Sequence, residues 1–159
     1  MAPRSLSFAT ALGRIRLAWT AEGICSLRFQ EGLDRDDAQE APGWILSAVR
    51  RLMAYLAGHP QALEDFPLDL RGLTPFQRRV ADVLRATRPG QTLSYGDVAL
   101  LAGRPGAARA VGQAVKANPI LILVPCHRVV AADGPGGWSA FGSPERKARL
   151  LALETLKAD

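Results

Sequence analysis

The chain has 159 residues, of which 48% are hydrophobic and 22% charged, and this composition is typical of one or two small folded domains rather than of a disordered chain. No apolar run approaches the roughly 20 residues of a membrane-spanning helix, and the first 19 residues lack the unbroken apolar stretch of an export signal. Two cysteines are too few for a disulfide framework, and the Cys and His residues are too scattered for structural zinc. We therefore expect a cytoplasmic protein with free thiols and with neither a metal nor a cofactor.

Charge is distributed unevenly along the chain. Residues 1–72 carry 8 basic and 9 acidic side chains, whereas residues 73–159 carry 12 basic and 6 acidic ones, within an overall charge of +5. A basic half beside a neutral half indicates an anionic partner, although a solvated basic face would give the same count. We expect an α/β protein in which a small, hairpin-rich N-terminal module with one helix, residues 1–72, packs on a mostly helical C-terminal module, residues 73–159.

The first third of the chain predicts a small β unit followed by a helix. Apolar side chains alternate with other residues over 15–19 and over 25–29, on either side of a turn at 20–23. This pattern predicts a hairpin with one buried face. After an acidic loop, residues 31–43, apolar positions recur at helical spacing over 45–56 and predict a helix.

The C-terminal half contains two helix starts with cap residues, at Thr74-Pro75-Phe76-Gln77 and at Ser94-Tyr95-Gly96-Asp97. Gly103 to Gly106 predicts a turn before a third helix over 107–116. Two short helices joined by a turn that contains glycine are a helix-turn-helix candidate, although the same pattern also occurs at purely structural helix corners.

The apolar run Ile120–Val124 is followed directly by the segment Pro125-Cys126-His127-Arg128-Val129-Val130. This segment places a thiol, an imidazole and a guanidinium next to one another in the chain. Nearby cations favour the thiolate, which is the nucleophile, but a structural cysteine beside a salt-bridged arginine is the alternative. In an extended segment Cys126 and His127 would point to opposite sides. We therefore expect activation of the thiol through a water or a third group, and Glu154 is one carboxylate that folding could bring to the imidazole.

Pro125-Cys126-His127-Arg128-Val129 resembles the active-site signature of the O6-alkylguanine-DNA alkyltransferases, also called methylated-DNA–protein-cysteine methyltransferases. Close resemblance covers residues 66–130 and 144–154, and a looser resemblance covers the N-terminal hairpin. The segments that carry it are Phe66–Leu70, Thr74–Val80, Ser94–Ala99, Arg109–Gly112, Asn118-Pro119 and Arg146-Lys147 through Glu154.

The resemblance implies direct reversal of DNA damage. Proteins of this family flip an alkylated guanine out of the duplex and move the alkyl group from O6 to a cysteine sulfur. The thioether is not regenerated, so that each molecule acts once. The implied partner is double-stranded DNA that contains O6-alkylguanine, and we extend the expected substrates to O4-alkylthymine. We expect a monomer that can bind cooperatively along DNA.

The resemblance also implies a role for each of five residues. Cys126 is the alkyl acceptor, and His127 with Glu154 is the relay that deprotonates it through water. Tyr95 pushes the target phosphate and donates a hydrogen bond to guanine N3, which stabilises the leaving guanine anion. Asn118 connects the DNA-binding helices to the active-site loop.

For DNA binding, the resemblance implies that Arg109 is a finger that fills the space left by the flipped base. A protein that recognises a damaged base must bind DNA in any sequence context. We therefore expect contacts with phosphates to dominate its binding to DNA. The further predicted DNA contacts are Arg104, Lys116 and Ala108.

The implied base pocket contains Pro125, Val129, Trp138 and Ser139. The backbone carbonyls of Cys126 and Val129 are expected to accept from the guanine amino group, and Ser139 to donate to O6. Residues 131–143 depart from the pattern of the family. Trp138 is the expected aromatic wall, with Phe141 as its competitor, so that the preferred size of the alkyl group is left open.

Three alternative functions are compatible with parts of the sequence. An alkyltransferase-like protein would recognise lesions without repairing them, but such relatives replace the cysteine that is present here as Cys126. A helix-turn-helix regulator would bind a specific operator and perform no chemistry. A thiol hydrolase would use Cys126 with His127 and turn over.

Overall fold

The computed structural model describes residues 2–32, 40–131, 141 and 143–157, and the chain divides into two compact units, Met1–Asp69 and Leu70–Asp159. The first unit holds a three-stranded antiparallel sheet and one helix, and the second is mostly helical, which confirms the predicted fold class. The elements of the first unit are β1 (Arg4–Thr10), β2 (Gly13–Thr20), β3 (Gly23–Phe29) and α1 (Gly43–Leu56).

The predicted hairpin is β2 with β3, and the sheet order is β1-β2-β3. Strand β1 was missed because Ser7 is buried along with its neighbours Leu6 and Phe8, so that the alternation typical of a half-buried strand is weak. One face of the sheet packs with α1, whose buried residues follow the predicted helical spacing. Buried side chains of this core include Ile15, Leu17, Ile24, Leu27, Ile45, Leu52 and Leu56.

The chain leaves the first unit along the edge of β3. Ile24 donates to the Pro67 carbonyl over 2.9 Å, and its own carbonyl accepts from the Asp69 amide over 2.8 Å. Gly23 has φ +144°, and a Cβ at this position would lie 2.5 Å from the Pro67 oxygen. A glycine is therefore required where these two backbones meet.

The second unit begins its helices as the sequence predicts. Thr74 and Gln77 form a reciprocal capping box, in which the Gln77 amide donates to Thr74 Oγ1 over 3.1 Å, and Ser94 with Asp97 forms another. The elements are α2 (Pro75–Arg85), β4 (Leu93–Ser94), α3 (Tyr95–Leu101), α4 (Ala108–Lys116), β5 (Val129–Val130) and α5 (Pro144–Lys157). A 3₁₀ turn covers Cys126–Arg128.

Helices α2, α3 and α4 contact one another, and the short strands β4 and β5 pair in parallel, Leu93 with Val129 and Ser94 with Val130. This pairing was not predicted, because two residues are too few to show a period. It places the start of α3 beside the segment that follows Cys126. None of the described helices is both long and apolar enough to cross a bilayer.

Candidate active site

The thiol of Cys126 is fully buried in the 3₁₀ turn that follows Pro125. The Arg128 amide donates to the Pro125 carbonyl over 3.0 Å and closes the turn. The segment is therefore a turn and not the extended segment considered from the sequence. The thiol and the imidazole share no hydrogen bond, since His127 Nε2 faces Glu154 and Nδ1 has no partner among the described residues.

Burial raises the pKa of the Cys126 thiol to about 11, although the hydrogen bond with Asn118 and the positive charge of Lys147 act in the opposite direction. Nearby cations favour the thiolate, as the sequence suggests and as Lys147 does, but burial of the thiol outweighs this effect. The guanidinium of Arg128, next but one in the sequence, is bound to a carboxylate. The thiol is therefore protonated at neutral pH.

The side chain of Arg128 is held on two sides. Its Nε donates to Glu154 Oε1 over 2.9 Å and its Nη2 to Glu154 Oε2 over 2.6 Å, which is a bidentate ion pair. Its Nη1 donates over 2.9 Å to both the carbonyl and the hydroxyl of Thr87. Glu154 is 1% exposed and Arg128 7%, so that neither charge is solvated and each depends on the other.

His127 shares the carboxylate of Glu154, with Nε2 2.9 Å from Oε1. Burial raises the pKa of the Glu154 carboxyl, but the hydrogen bonds from Arg128 and His127 outweigh it and hold that pKa far below its usual range. The pKa of His127 is lowered by burial, which outweighs the opposing effect of Glu154. An ionised carboxylate facing a neutral imidazole requires Nε2 to carry the proton.

The second ring nitrogen of His127 is therefore a bare acceptor. Its Nδ1 is buried and has no hydrogen-bond partner among the described residues. A buried acceptor without a partner costs about 1–3 kcal/mol, and such atoms are often retained because they take part in the chemistry. This nitrogen can therefore accept a proton or a hydrogen bond.

Lys147, in α5, is a site residue that the sequence-based assignment of roles missed. The residue is 1% exposed, and its ammonium group donates to the Val129 carbonyl over 2.8 Å. Burial lowers its pKa to about 8, while the proximity of Cys126 raises it. The only signal in the sequence was its place in the closing segment of the resemblance. The Val129 carbonyl, expected to accept from guanine, thus already accepts one hydrogen bond.

Asn118 holds the loop that leads to the thiol. Its Nδ2 donates to the Val124 carbonyl and its Oδ1 accepts from the Ile120 amide, each over 3.0 Å. Between these residues Ile122 has φ 72°, a left-handed conformation that costs a β-branched residue about 1–3 kcal/mol. The amide of Asn118 therefore stabilises a strained loop and contacts the thiol as well.

Tyr95 is the first residue of α3 and is half-buried. The pKa of its phenol is raised by burial and by the proximity of Cys126. The phenol is therefore protonated at neutral pH and can donate a hydrogen bond next to the thiol.

The predicted DNA-contacting residues lie on α4 and the turn before it. Arg109 and Lys116 are exposed, in the first and last turns of α4, and Ala108 is half-buried at its start. Arg104 is exposed in the preceding turn, and its guanidinium lies 4.8 Å from the ring centroid of Phe76 in α2.

Phe76 also makes a cation–π contact with Arg79, whose guanidinium lies 5.7 Å from the ring centroid. The Nε of Arg79 donates to the Ala102 carbonyl over 3.0 Å. The Phe76 ring thus makes cation–π contacts with two arginines, Arg79 and Arg104, next to α3 and α4. Neither Phe76 nor Arg79 was singled out for binding, because a cation–π contact between separate helices leaves no local pattern.

A narrow cleft reaches Cys126 between α2, α4 and the loop that ends at Val124. Its free volume is about 10 Å³, enough for one water molecule and far too small for a purine. Asn118 and Ala114 also line it.

Of the residues predicted to form the base pocket, Pro125 and Val129 are buried beside the thiol. Trp138 and Ser139 lie outside the described residues. Phe141, the competitor for the aromatic wall, is fully buried, and its ring meets that of His127 edge to face with centroids 6.2 Å apart. No group of three or more His, Cys, Asp or Glu side chains within the described ranges could hold a metal ion.

Family models match nearly the whole chain. Residues 75–156 match the model described as 6-O-methylguanine DNA methyltransferase, DNA binding domain. Residues 6–70 match the model described as 6-O-methylguanine DNA methyltransferase, ribonuclease-like domain. The division between the two matches falls close to that between the two compact units.

Two relatives that match over most of their length have the same name. A methylated-DNA–protein-cysteine methyltransferase of Mycobacterium bovis is 43% identical over 151 residues, which span 92% of this chain and 89% of the relative. A protein of the same name from Methanosarcina acetivorans is 39% identical over 151 residues, which span 92% of this chain and 95% of the relative.

Solved structures show the same similarity. The O6-methylguanine methyltransferase of Mycobacterium tuberculosis gives a TM-score of 0.84 at 38% identity, over 99% of this chain and 96% of that one. A second Mycobacterium tuberculosis structure, named as OGT in complex with DNA, gives 0.80 at 41% identity, over 95% and 92% of the two chains.

Proposed function

The chain belongs to the 6-O-methylguanine DNA methyltransferase family, and we propose that it repairs DNA by moving the alkyl group of O6-alkylguanine onto Cys126. Cys25 is the other free thiol, but it lies on β3, in the unit that does not match the DNA-binding domain. The proposal is supported by a fully buried thiol at Cys126, followed in the chain by an imidazole whose Nδ1 has no partner among the described residues, in the unit that matches the DNA binding domain.

The proton of the thiol has to leave before the sulfur can attack. With a pKa of about 11, formation of the thiolate at neutral pH costs on the order of 5 kcal/mol. His127 Nδ1 takes this proton through one water molecule, and the charge that develops on the imidazole faces the carboxylate of Glu154. Arg128 and Thr87 keep that carboxylate ionised and in place.

In the transfer itself, the sulfur forms a bond to the alkyl carbon while the bond from that carbon to guanine O6 breaks. The electron pair of the broken bond remains on the purine, which leaves as an anion. The phenol of Tyr95, protonated at neutral pH, donates to guanine N3 and stabilises this anion. Because the thioether has no leaving group, the protein is alkylated once and permanently.

The partner is double-stranded DNA, and the modified base reaches the thiol by base flipping. Helix α4 presents Arg109, which fills the space left in the stack, while Arg104, Lys116 and the backbone at Ala108 contact phosphates. Arg104 is oriented by its stack on Phe76, so that it binds phosphate with less loss of side-chain entropy.

The base pocket of this proposal has two parts. They are the backbone carbonyls of Cys126 and Val129 and the side chains of Pro125, Trp138 and Ser139. The Cys126 carbonyl accepts a bond from the Val129 amide, and the Val129 carbonyl accepts one from Lys147. A carbonyl has two lone pairs, so in this proposal guanine uses the second of each. We include O4-alkylthymine among the substrates, since its alkyl group is also carried by an exocyclic oxygen.

We propose that the protein acts in the cytoplasm as a monomer, able to bind cooperatively along DNA. Both cysteines are free thiols, and the reaction consumes a reduced sulfur, which suits a reducing compartment. The thiol, the base and the carboxylate that we assign all come from one chain.

A stoichiometric assay with two matched cysteine variants tests this function. Duplex DNA with one O6-methylguanine is incubated with the parent protein, with Cys126→Ser and with Cys25→Ser, and the repaired strands are counted. The parent and Cys25→Ser should each repair one lesion per molecule and then stop, and Cys126→Ser should repair none. Continued turnover would favour a thiol hydrolase, and repair by Cys126→Ser would exclude Cys126 as the acceptor.

A further inference from the structure

The aromatic ring of Phe141 lies against the imidazole of His127. The two ring centroids are 6.2 Å apart and the ring planes are inclined at 85°, which is an edge-to-face arrangement. Aromatic rings favour this arrangement because the positive edge of one ring meets the negative face of the other. Both residues are fully buried, so that the Phe141 ring also keeps water from this side of the imidazole.

The hydrogen bond with Glu154 does not by itself fix the plane of the His127 ring. It sets the position of Nε2, which lies 2.9 Å from Glu154 Oε1. The terminal torsion of a histidine is broad, however, so that the ring can still tilt and carry Nδ1 with it. The packing of Phe141 on the ring restricts this tilt. It therefore controls the direction of Nδ1, the nitrogen that has no partner among the described residues.

The backbone of Phe141 is itself tied to the first turn of α5. Its carbonyl accepts from Arg146 Nη1 over 3.0 Å, and Ser143 Oγ accepts from the Arg146 amide over 3.4 Å. Helix α5 also carries Glu154, which binds the imidazole at Nε2. One helix thus anchors both contacts that orient the His127 ring.

We propose that Phe141 is a positioning residue for His127. Its ring fixes the plane of the imidazole, so that Nδ1 stays available to take the proton of Cys126, and it excludes water from the imidazole. This role differs from the aromatic wall of the base pocket, for which Phe141 competed with Trp138. It rests on the proposed function, in which His127 is the base for the alkyl transfer.

The charged groups around His127 come from its own turn and from α5. Glu154 and Lys147 of α5 and Arg128 of the turn act on its pKa, but burial has the largest effect and lowers it. Between about pH 5 and about pH 7 these three groups stay charged and the Cys126 thiol stays protonated, so that within this group His127 alone titrates.

Loss of the Phe141 ring should therefore change the titration of His127 in a defined direction. Water that enters the vacated space solvates the imidazolium and weakens the effect of burial. The pKa of His127 should then rise toward its ordinary value of about 6.5. A side chain that only filled the core would leave this pKa unchanged.

Three substitutions at Phe141 and one matched control test the role. Phe141→Leu removes the ring, and Phe141→Met is a second variant without the ring, whose flexible side chain fills irregular space. Phe141→Tyr keeps the ring. The control, Phe8→Leu, makes the same change at a buried phenylalanine of β1 in the first unit. The full-length protein is used throughout, at a temperature well below the lowest measured Tm.

NMR follows the His127 imidazole directly, because the chain contains only two histidines. His59, which is exposed on the first unit, serves as the internal reference. In the parent, nuclear Overhauser contacts should connect the ring protons of Phe141 and His127. In Phe141→Leu and Phe141→Met the pKa of His127 should rise by about 0.5 or more, whereas Phe141→Tyr and Phe8→Leu should keep the parent value.

Two NMR results would overturn the proposal. One is the absence of these contacts in the parent, which needs no variant to be folded. The other is a parent-like titration of His127 in a folded variant without the ring. The titration uses no alkyl donor, so that it tests the position of Phe141 even if the proposed repair function fails.

Single-turnover transfer from free O6-benzylguanine then tests the consequence for the base. The rate should fall as the pH drops through the pKa of His127, because a protonated imidazole cannot take the proton of the thiol. In Phe141→Leu this fall should begin at a higher pH, and at pH 7 the rate should be lower by about 2- to 10-fold, the usual worth of an aromatic pair. Phe141→Tyr should restore both.

The kinetic result separates the two hypotheses. A lowered Tm in Phe141→Leu with a parent-like rate and pH profile, as expected for Phe8→Leu, would make Phe141 a core residue only and would reject the positioning role. If the rate does not follow the pKa of His127 in any of the proteins, the base assigned in the proposed function is wrong, while the NMR result still decides the role of Phe141.

Discussion

Replacing His127 with glutamine should change how the rate of alkyl transfer depends on pH. Glutamine can still donate to the Glu154 carboxylate but cannot take a proton from the thiol. In the parent, His127 is the base, and its lowered pKa leaves it neutral at and above about pH 7. The rate of the parent should therefore be nearly level between about pH 7 and about pH 8.

The size of the change follows from the pKa of Cys126, about 11. Without a base, the variant reacts through the small fraction of preformed thiolate, about 10⁻⁴ at neutral pH, which rises tenfold with each pH unit. At neutral pH the variant should be slower by about 10²–10⁴-fold, the usual contribution of a general base.

Single-turnover rates with free O6-benzylguanine test this prediction without the DNA-binding step. Lys147, with a pKa of about 8, titrates near the top of the range from about pH 7 to about pH 8 in both proteins, so the slopes are compared between the parent and the variant. The parent should vary less than about twofold, and His127→Gln should rise about tenfold per unit. Equal slopes for the two proteins, with thermal stability preserved in the variant, would refute the role of His127 as the base.

Three further predictions concern residues around the site. Thr87→Val should lower the free energy of unfolding by about 1.5–3 kcal/mol in chemical denaturation, because its hydroxyl accepts from a buried guanidinium. Thr92→Val, at an exposed position, should cost less than about 0.5 kcal/mol, and equal losses would contradict the assigned bond. Phe76→Leu should weaken binding to duplex DNA without slowing transfer to free O6-benzylguanine, because the cation–π stack is lost, and a slower transfer would instead place this ring in the chemistry. Arg109→Ala should reduce repair of duplex DNA more than transfer to the free base, and equal losses would exclude the finger role.

Local chemistry made the helical framework predictable. The capping boxes at Thr74 and Ser94 require only residues three positions apart, and the structure contains both. The helix over 45–56 and the hairpin within 15–29 were recognisable for the same reason, since each has its period within the segment itself.

Long-range contacts and burial were not predictable in this way. The pairing of Ser94 with Val130 joins segments far apart in the sequence, and Lys147 reaches the site from α5. Counting the nearby cations favoured a thiolate at Cys126, because a sequence shows neither the burial of the thiol nor the neutralisation of Arg128 by Glu154. The ionisation of a buried group depends on which partners the fold supplies.

The alkylated sulfur can be observed directly by intact mass spectrometry after reaction with DNA that contains O6-methylguanine. We predict a gain of one methyl group per chain, about 14 Da, located on Cys126 by peptide mapping, with Cys25 unmodified. An unchanged mass after complete repair of the DNA, or a methyl group on any other residue, would contradict the central claim.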